Sequence, residues 1–268
     1  YEENKAVIGD VFALAGHNPD LPAETGADPA HQIEETLLRH LFETLVNSPQ
    51  VDRIESQLLL HPSGAHTRVF SEAGFQLFPR LFMVQPLEGR WSRPRVDVTS
   101  ELELRPWRDE DLSSAARLIC DAYRGHPDSL INDQYCSVHG SLRFLNNIVR
   151  YAGCGVFSPL ASLVVVERTS REPVALVLGS RVSPQSGHIT QICVHPQYRR
   201  QGLARLLLGM AASQFMRQGV SEISLTVTAA NTQAIDLYRS EGYDCAHTFD
   251  AAVWRRGQND EEILGTAD

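Results

Sequence analysis

The chain has 268 residues, 43% of them hydrophobic, which is enough apolar sequence for one large domain or two of ordinary size. Its formal net charge of −9 argues against non-specific binding to nucleic acid or to anionic membranes, and favours a cationic or neutral substrate. No apolar run approaches the ~20 residues of a membrane-spanning helix. The five cysteines include no Cys-x-x-Cys pair, which favours a reducing, cytoplasmic location over a disulfide framework.

Residues 1–90 are expected to form a first domain. The stretch Pro86 to Pro94 has the composition of a connector, so we place the boundary there and take residues 91–101 as the linker. The predicted elements of the first domain are a helix, a strand and a short helix with a turn, over Thr36–Leu45, Leu58–Leu60 and Val69–Phe75.

From residue 102 to 256, strand and helix patterns alternate, as in an α/β (α+β) domain. Gly125 to Tyr135, with His126-Pro127-Asp128 inside it, is loop-like and is a candidate to face the substrate. Residues 257–268 read as an acidic tail. The predicted strands are Leu102–Arg105, Ser162–Glu167, Val174–Leu178, Ile189–Val194, Ile223–Thr228 and Ala246–Trp254, and the predicted helices follow Asp109 or span Val138–Val149, Ala204–Gln218 and Thr232–Ser240.

Part of the first domain repeats the pattern of the second at consistent spacing. The helical run Thr36–Leu45 matches the helix after Ala204, whereas Asn18 to Ala30 has prolines and acids where the second copy has arginines and a glycine. We therefore interpret the first domain as a diverged copy without a working site; the alternative is an unrelated helical extension. The aligned positions are Ile54 with Ile223, Leu58–Leu60 with Leu225–Val227, and Val69–Phe75 with Leu237–Tyr243.

A short run that follows a strand and opens a helix is typical of a pyrophosphate-binding turn. Gly202 lets the backbone approach a ligand closely, and the amides that open a helix point toward a position where the helix dipole favours negative charge. Arg199, Arg200 and Arg205 add cationic side chains around this turn. No group of His, Cys, Asp or Glu has the spacing of metal ligands, so no metal is predicted.

Two motifs resemble those of the GCN5-related N-acetyltransferase (GNAT) family. The family's acyl-CoA turn, Arg/Gln-x-x-Gly-x-Gly/Ala, is matched by Arg199, Gly202 and Ala204. The second motif, Asn-x-x-Ala-x-x-Leu-Tyr-x-x-x-Gly-Phe/Tyr, is matched by Asn231, Ala234, Leu237, Tyr238, Gly242 and Tyr243.

The resemblance covers about Leu102 to Trp254 and implies the GNAT fold, a mixed, mostly antiparallel sheet flanked by helices. The arrangement of two domains in tandem is similar in architecture to that of the mycothiol synthases.

The resemblance implies that acetyl-CoA lies in a splay between the strands Ile189–Val194 and Ile223–Thr228. Backbone groups of one strand would pair with the pantetheine amides, the amide of Val194 would polarise the thioester carbonyl, and the turn would hold the pyrophosphate. The implied contact residues are Ile192, Cys193, Val194, Arg199, Arg200, Gln201, Gly202, Leu203, Ala204, Arg205, Asn231 and Tyr238.

Two residues are implied to act in catalysis. The resemblance places the Tyr238 hydroxyl near the CoA sulfur, where it could protonate the departing thiolate; the alternative is an aromatic residue of the core. His188 stands where histone-acetylating relatives have a glutamate base, and imidazole titrates near neutrality. A polar residue at a strand edge is the alternative for His188. Relatives that act on peptide N-termini carry a glutamate at the position of Thr226, so this chain has no glutamate base at that position.

Three neighbouring residues have ordinary structural readings as well. Asn231 could cap its helix and also contact CoA. Cys193 is expected to pack into the core rather than act as a nucleophile, since direct transfer needs no acyl-enzyme. His195 is expected to be a loop residue before Pro196.

We therefore predict an N-acetyltransferase that transfers acetyl from acetyl-CoA to a primary amine, in a small molecule or a peptide, by direct attack. We expect no nucleic-acid or membrane partner. The alternative from another class is a non-catalytic acyl-CoA sensor or scaffold. A Rossmann-type nucleotide domain fits poorly, because the turn lacks further glycines and comes late in its domain.

Overall fold

The computed structural model describes residues 4–13, 29–87, 99–151 and 153–257. Three features predicted from the sequence lie wholly or mainly outside these ranges: the proline-rich and acidic stretch Asn18–Ala30, the linker 91–101 and the tail 257–268. Among the described residues, no helix is both long and apolar enough to cross a membrane.

The chain divides into two compact units. Unit 1 comprises Tyr1–Arg80 and Thr248–Asp268, and unit 2 comprises Leu81–His247. Both divisions fall inside β-strands, because one strand runs from Gln76 to Pro86 and another from Asp244 to Arg255. The segment Thr248–Trp254, which the sequence assigns to the second domain, therefore lies in unit 1.

The predicted helices and strands from Leu102 onward occur in the predicted order, and the structure adds three strands and one short helix. Strands β1, β3 and β5 below were not predicted. In chain order the elements are β1 (Lys5–Ile8), α1 (Pro29–Val46), β2 (Arg53–Gln57), α2 (Thr67–Glu72), β3 (Gln76–Pro86), β4 (Leu102–Pro106), α3 (Leu112–Ala122), α4 (Asp128–Ile131), α5 (Val138–Arg150), β5 (Val156–Phe157), β6 (Leu163–Glu167), β7 (Pro173–Arg181), β8 (Ser186–Val194), α6 (Leu203–Arg217), β9 (Glu222–Thr228), α7 (Thr232–Ser240) and β10 (Asp244–Arg255).

Unit 1 packs two helices against a small sheet. Strand β2 pairs in parallel with β1 and antiparallel with β10, where Trp254 lies opposite Ile54. The ring of Phe42 on α1 packs against Phe70 and Phe75, with ring centroids 4.8 Å and 4.6 Å apart. Strand β2 ends at Gln57, so the predicted strand Leu58–Leu60 forms a turn instead, closed by a bond from the His61 N–H to the Leu58 carbonyl.

Unit 2 contains a mixed sheet with the strand order β3-β9-β8-β7-β6-β4, and β5 pairs with β7. Strands β8 and β9 run parallel, whereas β4–β6, β6–β7 and β7–β8 are antiparallel. This confirms the predicted α+β fold with a mostly antiparallel sheet. The predicted loop Gly125–Tyr135 contains α4 and the start of a 3₁₀ turn. Both elements are too short to show a periodic apolar pattern in the sequence.

Helices cover both faces of the sheet of unit 2, because alternate side chains of its central strands are apolar on both sides. One set packs against α3 and α5, and the other packs against α6. The first set includes Val164, Val166, Leu176 and Leu178, and the second includes Leu163, Val165, Ala175 and Val177. Helix α6 is thereby fixed with its N-terminus beside the end of β8.

Candidate functional site

The predicted pyrophosphate turn has the backbone conformation that brings amides together at a helix start. Arg200 and Gly202 adopt left-handed φ angles of 66° and 79°, and Gly202 is the N-cap of α6. The first helical bond runs from the Leu206 N–H to the Gly202 carbonyl, 3.0 Å. The amides of the first turn, from Leu203 onward, therefore have no acceptor within the helix and lie at its positive pole.

Two of the three predicted arginines are engaged by protein groups. The Arg199 guanidinium donates to the carbonyls of Ala122, 2.7 Å, and Val194, 3.3 Å. The Arg205 guanidinium pairs with the Glu241 carboxylate at 2.6 Å and donates to the Ser240 hydroxyl. Arg200 is exposed at the turn. The turn therefore presents its backbone amides, while two of the three arginines are held by protein groups.

The other predicted residues of the turn contribute mainly through the backbone. Leu203 buries its side chain in the core and Ala204 is half-buried. Gln201 is exposed, and its amide nitrogen lies 3.5 Å from the Gln197 carbonyl. His195 caps the short 3₁₀ turn Pro196–Tyr198 by accepting from the Gln197 N–H, in line with its expected place in a loop.

Strands β8 and β9 separate partway along their length, which opens a splay. Their parallel pairing covers Ser186–Glu222, Gly187–Ile223 and His188–Ser224, although both strands continue further. A β-bulge lies just beyond, because the register on β7 passes from Ile189 to Gln191 and leaves Thr190 as the extra residue. The bulge falls where the two strands part.

Backbone amides of β8 point into this splay. The His195 N–H donates to the Val174 carbonyl, and successive residues of a strand face alternate edges. The N–H groups of Ile192 and Val194 therefore point away from β7, whereas that of Cys193 points toward it. The Ile192 and Val194 carbonyls accept from the Tyr123 hydroxyl, 3.4 Å, and from Arg199.

Aromatic side chains surround the same end of β8. Tyr238 on α7 is 7% exposed and packs beside Tyr243. Tyr123 stacks on Tyr135 with ring centroids 4.3 Å apart, and its hydroxyl lies 3.4 Å from the Gln191 side-chain oxygen. Burial, with smaller effects from Tyr135 and other neighbours, raises the pKa of Tyr123 well above its usual value, so the phenol stays protonated and donates.

The loop before α4 reaches the C-terminal end of β9. The Asp128 carboxylate accepts from the Thr228 hydroxyl, and the His126 ring nitrogen Nε2 lies 3.3 Å from the Asn231 side-chain amide. Asn231 also caps α7, since its side-chain oxygen accepts from the Ala234 N–H. Asn231 therefore caps its helix, which was one of its two predicted roles. The loop lies next to this cap.

His188 lies in the paired part of β8, just before the splay. Its ring stacks over Phe82, and Nδ1 is 2.9 Å from the Ser224 hydroxyl. Because that hydroxyl donates to the Gly187 carbonyl, the His188 Nδ1–H must be the donor to Ser224. Nε2 is then the basic nitrogen of the neutral ring.

Cys193 is buried among the side chains that face α3 and α5. Burial raises the pKa of its thiol to about 12, so the nucleophilic thiolate is scarce near neutral pH. All five cysteines are unpaired. The core position of Cys193 matches the sequence prediction.

The sequence did not single out Tyr123, Gln191 or Thr228. Gln191 carried a detectable signal, because it is a polar residue in the apolar strand Ile189–Val194. Its side-chain nitrogen is buried without a hydrogen-bond partner among the described residues. Tyr123 gave no signal, since it reads as one more apolar position of a helix.

Comparison with known proteins gives a family match within unit 2. Residues 131–243, which are less than half of the chain, match the profile of the acetyltransferase (GNAT) family. The match confirms the resemblance to that family predicted from the sequence.

Two curated relatives match over short segments. A ribosomal protein bS18-alanine N-acetyltransferase of Escherichia coli (strain K12) is 43% identical over 53 residues, covering 20% of this chain and 36% of that protein. A mycothiol acetyltransferase of Kocuria rhizophila is 33% identical over 69 residues, covering 26% of this chain and 23% of that protein. The matches thus span 36% of the first relative's length and 23% of the second's.

A solved structure matches over a longer range. A GCN5-related N-acetyltransferase from Sphaerobacter thermophilus aligns with a TM-score of 0.61 and 20% identity, covering 82% of this chain and 67% of that one. At this level of identity the match shows a shared fold.

Proposed function

We propose that unit 2 transfers an acetyl group from acetyl-CoA to a primary amine by direct attack of the amine on the thioester. The observation that carries the proposal is the splay beyond His188 and Ser224, which opens beside the amide-lined turn at Gly202. The inward-pointing N–H group of Ile192 can pair with the pantetheine as an added strand would. The amides that open α6 can bind the pyrophosphate.

The chemistry needs a hydrogen-bond donor for the carbonyl oxygen, an acid for the sulfur and a base for the amine. In this proposal the Val194 N–H donates to the thioester oxygen. As the amine nitrogen bonds to the acetyl carbon and the carbon–sulfur bond breaks, Tyr238 gives its proton to the thiolate. The excess proton of the amine passes to His188 Nε2, directly or through water.

The names of the relatives and one departure in this chain bear on the acceptor class. The two curated relatives are named as a ribosomal protein bS18-alanine N-acetyltransferase and a mycothiol acetyltransferase, and both peptide and small-molecule amines fit the proposal. Thr226 occupies the position where peptide-acetylating relatives carry a glutamate, and it is half-buried on β9. We therefore assign no proton-accepting role to Thr226.

Replacement of Tyr238 by Phe tests the role of the hydroxyl. We expect Tyr238→Phe to lower kcat by on the order of 100-fold, the scale of one general acid, while the affinity for acetyl-CoA stays the same. The measurement is steady-state CoA thiol release with a panel of peptide and small-molecule amines, together with calorimetry of acetyl-CoA binding.

Tyr243→Phe is the matched control. Its hydroxyl is buried without a hydrogen-bond partner among the described residues, and its ring centroid is 5.9 Å from that of Tyr238. The control should keep the wild-type rate. An unchanged rate in Tyr238→Phe would remove its role as the acid. Acetyl-CoA binding without thiol release from any amine would instead favour a non-catalytic acyl-CoA sensor or scaffold.

A further inference from the structure

Unit 1 contains a cluster of histidine and glutamate side chains that the proposed acetyl transfer does not use. Helix α1 carries His31 and Glu34, which lie one turn apart on the same face. His61 and His66 come from the segment that leads into α2. Ligand atoms of His31, Glu34 and His66 all lie within 4.8 Å of one another.

The separations in this cluster are too long for good hydrogen bonds and suit a metal ion. His66 Nε2 is 3.6 Å from Glu34 Oε2 and 3.4 Å from His61 Nδ1, and His31 Nδ1 is 4.0 Å from the same glutamate oxygen. Hydrogen bonds from N–H to oxygen are about 2.7–3.2 Å long. Ligand atoms ~2.0–2.1 Å from a tetrahedral zinc ion lie about 3.3–3.4 Å apart.

Hydrogen bonds orient the lone pairs of His61 and Glu34 toward His66. His61 Nε2 is 2.8 Å from the Val11 carbonyl, which can only accept, so Nε2 carries the proton and Nδ1 presents a lone pair to His66. Glu34 Oε1 accepts from the Ala13 N–H, which leaves Oε2 facing the imidazoles.

His66 is buried within this cluster. The residue is 3% exposed, and its Nδ1 has no hydrogen-bond partner among the described residues. The nitrogen that faces Glu34 and His61 is Nε2.

We propose that His31, Glu34 and His66 bind a zinc ion in unit 1. Two imidazole nitrogens and one carboxylate oxygen are donor types that zinc prefers, and a water molecule completes the four positions of a tetrahedral site. The ion ties α1 to the segment before α2.

Metal titration of the full chain tests this proposal independently of acetyl transfer. The protein is stripped with a chelator and titrated with Zn²⁺ in competition with a chromophoric chelator, and with Co²⁺ as a spectroscopic probe. We expect one equivalent of Zn²⁺ to bind and Co²⁺ to give the intense visible absorption of a four-coordinate site. Zinc should also raise the thermal unfolding temperature.

Two variants and one control make the test specific. Glu34→Gln keeps the size of the side chain, and His31→Ala removes a side chain that is 39% exposed, so both variants should fold. Each should lose more affinity than the ~10–100-fold that removal of a supporting partner costs. His40→Ala changes a 75% exposed histidine on the same helix and should bind as wild type does.

Three results would overturn the proposal. The first is a wild-type protein that binds no more zinc than His31→Ala or Glu34→Gln. The second is an equal loss of affinity in His40→Ala, which indicates scattered surface binding. The third is a weak, six-coordinate Co²⁺ spectrum. Circular dichroism of each variant separates loss of the metal site from loss of the fold.

Discussion

At the scale of single residues, Cys193 distinguishes direct transfer from transfer through an acyl-enzyme. Its buried thiol has a pKa of about 12, so at pH 7 only about one molecule in 10⁵ carries the thiolate. We expect Cys193→Ala to leave kcat for acetyl transfer unchanged, as measured by steady-state thiol release. A rate that falls to background would indicate that the thiol carries the acetyl group.

The same pKa governs the chemical reactivity of the residue. In the folded protein, alkylation should modify the exposed Cys136 and Cys245 before Cys193. Because the thiolate form increases until the pH passes the pKa, labelling of Cys193 should still be rising at pH 10. Peptide mapping by mass spectrometry identifies the labelled sites.

At the scale of elements, the packing of α6 on the sheet depends on two glycines under one ring. A Cβ at Gly179 on β7 would lie 2.8 Å from the Phe215 ring, and one at Gly187 on β8 would lie 3.0 Å from it. We expect Gly179→Ala to destabilise the fold by about 1–3 kcal/mol, since a fully buried ring has no room to move. Chemical denaturation measures this difference.

The cause of that destabilisation can be checked by a second change in the same contact. Phe215→Leu in the Gly179→Ala background should recover part of the loss, giving a coupling energy between the two sites. Gly153→Ala is the control, because a Cβ there meets no atom within 4 Å. Equal losses in Gly153→Ala and Gly179→Ala would contradict the packing argument.

Sequence patterns predicted those elements whose signals are local. Helices α6 and α7 could be read from apolar spacing and from the glycines that follow them, and Gly202 could be read from its place between a strand and a helix. Strand β3 escaped because Pro79 interrupts its apolar run.

Contacts between residues that are distant in the sequence could not be predicted from local sequence patterns. Tyr123 and Gln191 meet only after α3 packs on the sheet. The histidine cluster joins α1 to a segment about thirty positions later, and the sequence does not show that His31 and Glu34 meet His66. The engagement of Arg199 and Arg205 by protein groups was equally hidden, because a sequence shows charges but not their partners.

At the scale of the whole molecule, we propose that the two series of elements are copies of one ancestral unit. The order helix, strand, helix, strand occurs as α1, β2, α2, β3 and again as α6, β9, α7, β10. The turns also agree: the Phe75 N–H bonds the Phe70 carbonyl after Gly74, and the Tyr243 N–H bonds the Tyr238 carbonyl after Gly242, both at 3.0 Å. This supports the duplication inferred from the spacing.

Truncation tests how far unit 1 depends on the second half of the chain. A protein ending at His247 lacks Ala251–Arg255, which pair with β2, and Arg256, whose guanidinium donates to three carbonyls of unit 1. We expect hydrogen exchange in α1 and β2 to lose its protection, while β6 and β7 remain protected.

A chain ending at Gly257 is the control for this truncation, since it retains all of β10. Its exchange in α1 and β2 should equal that of the full chain. Full protection of α1 and β2 in the protein ending at His247 would show that unit 1 is complete without the later strand.

Strand β10 is synthesised long after the other strands and helices of unit 1. Ile54 leaves the ribosome about 200 residues before its partner Trp254, which at ~5–20 residues per second is a delay of about 10–40 s. During that interval the apolar faces of α1 and β2 lack their neighbouring strand. Unit 1 would therefore be a natural client for chaperones that shield nascent chains.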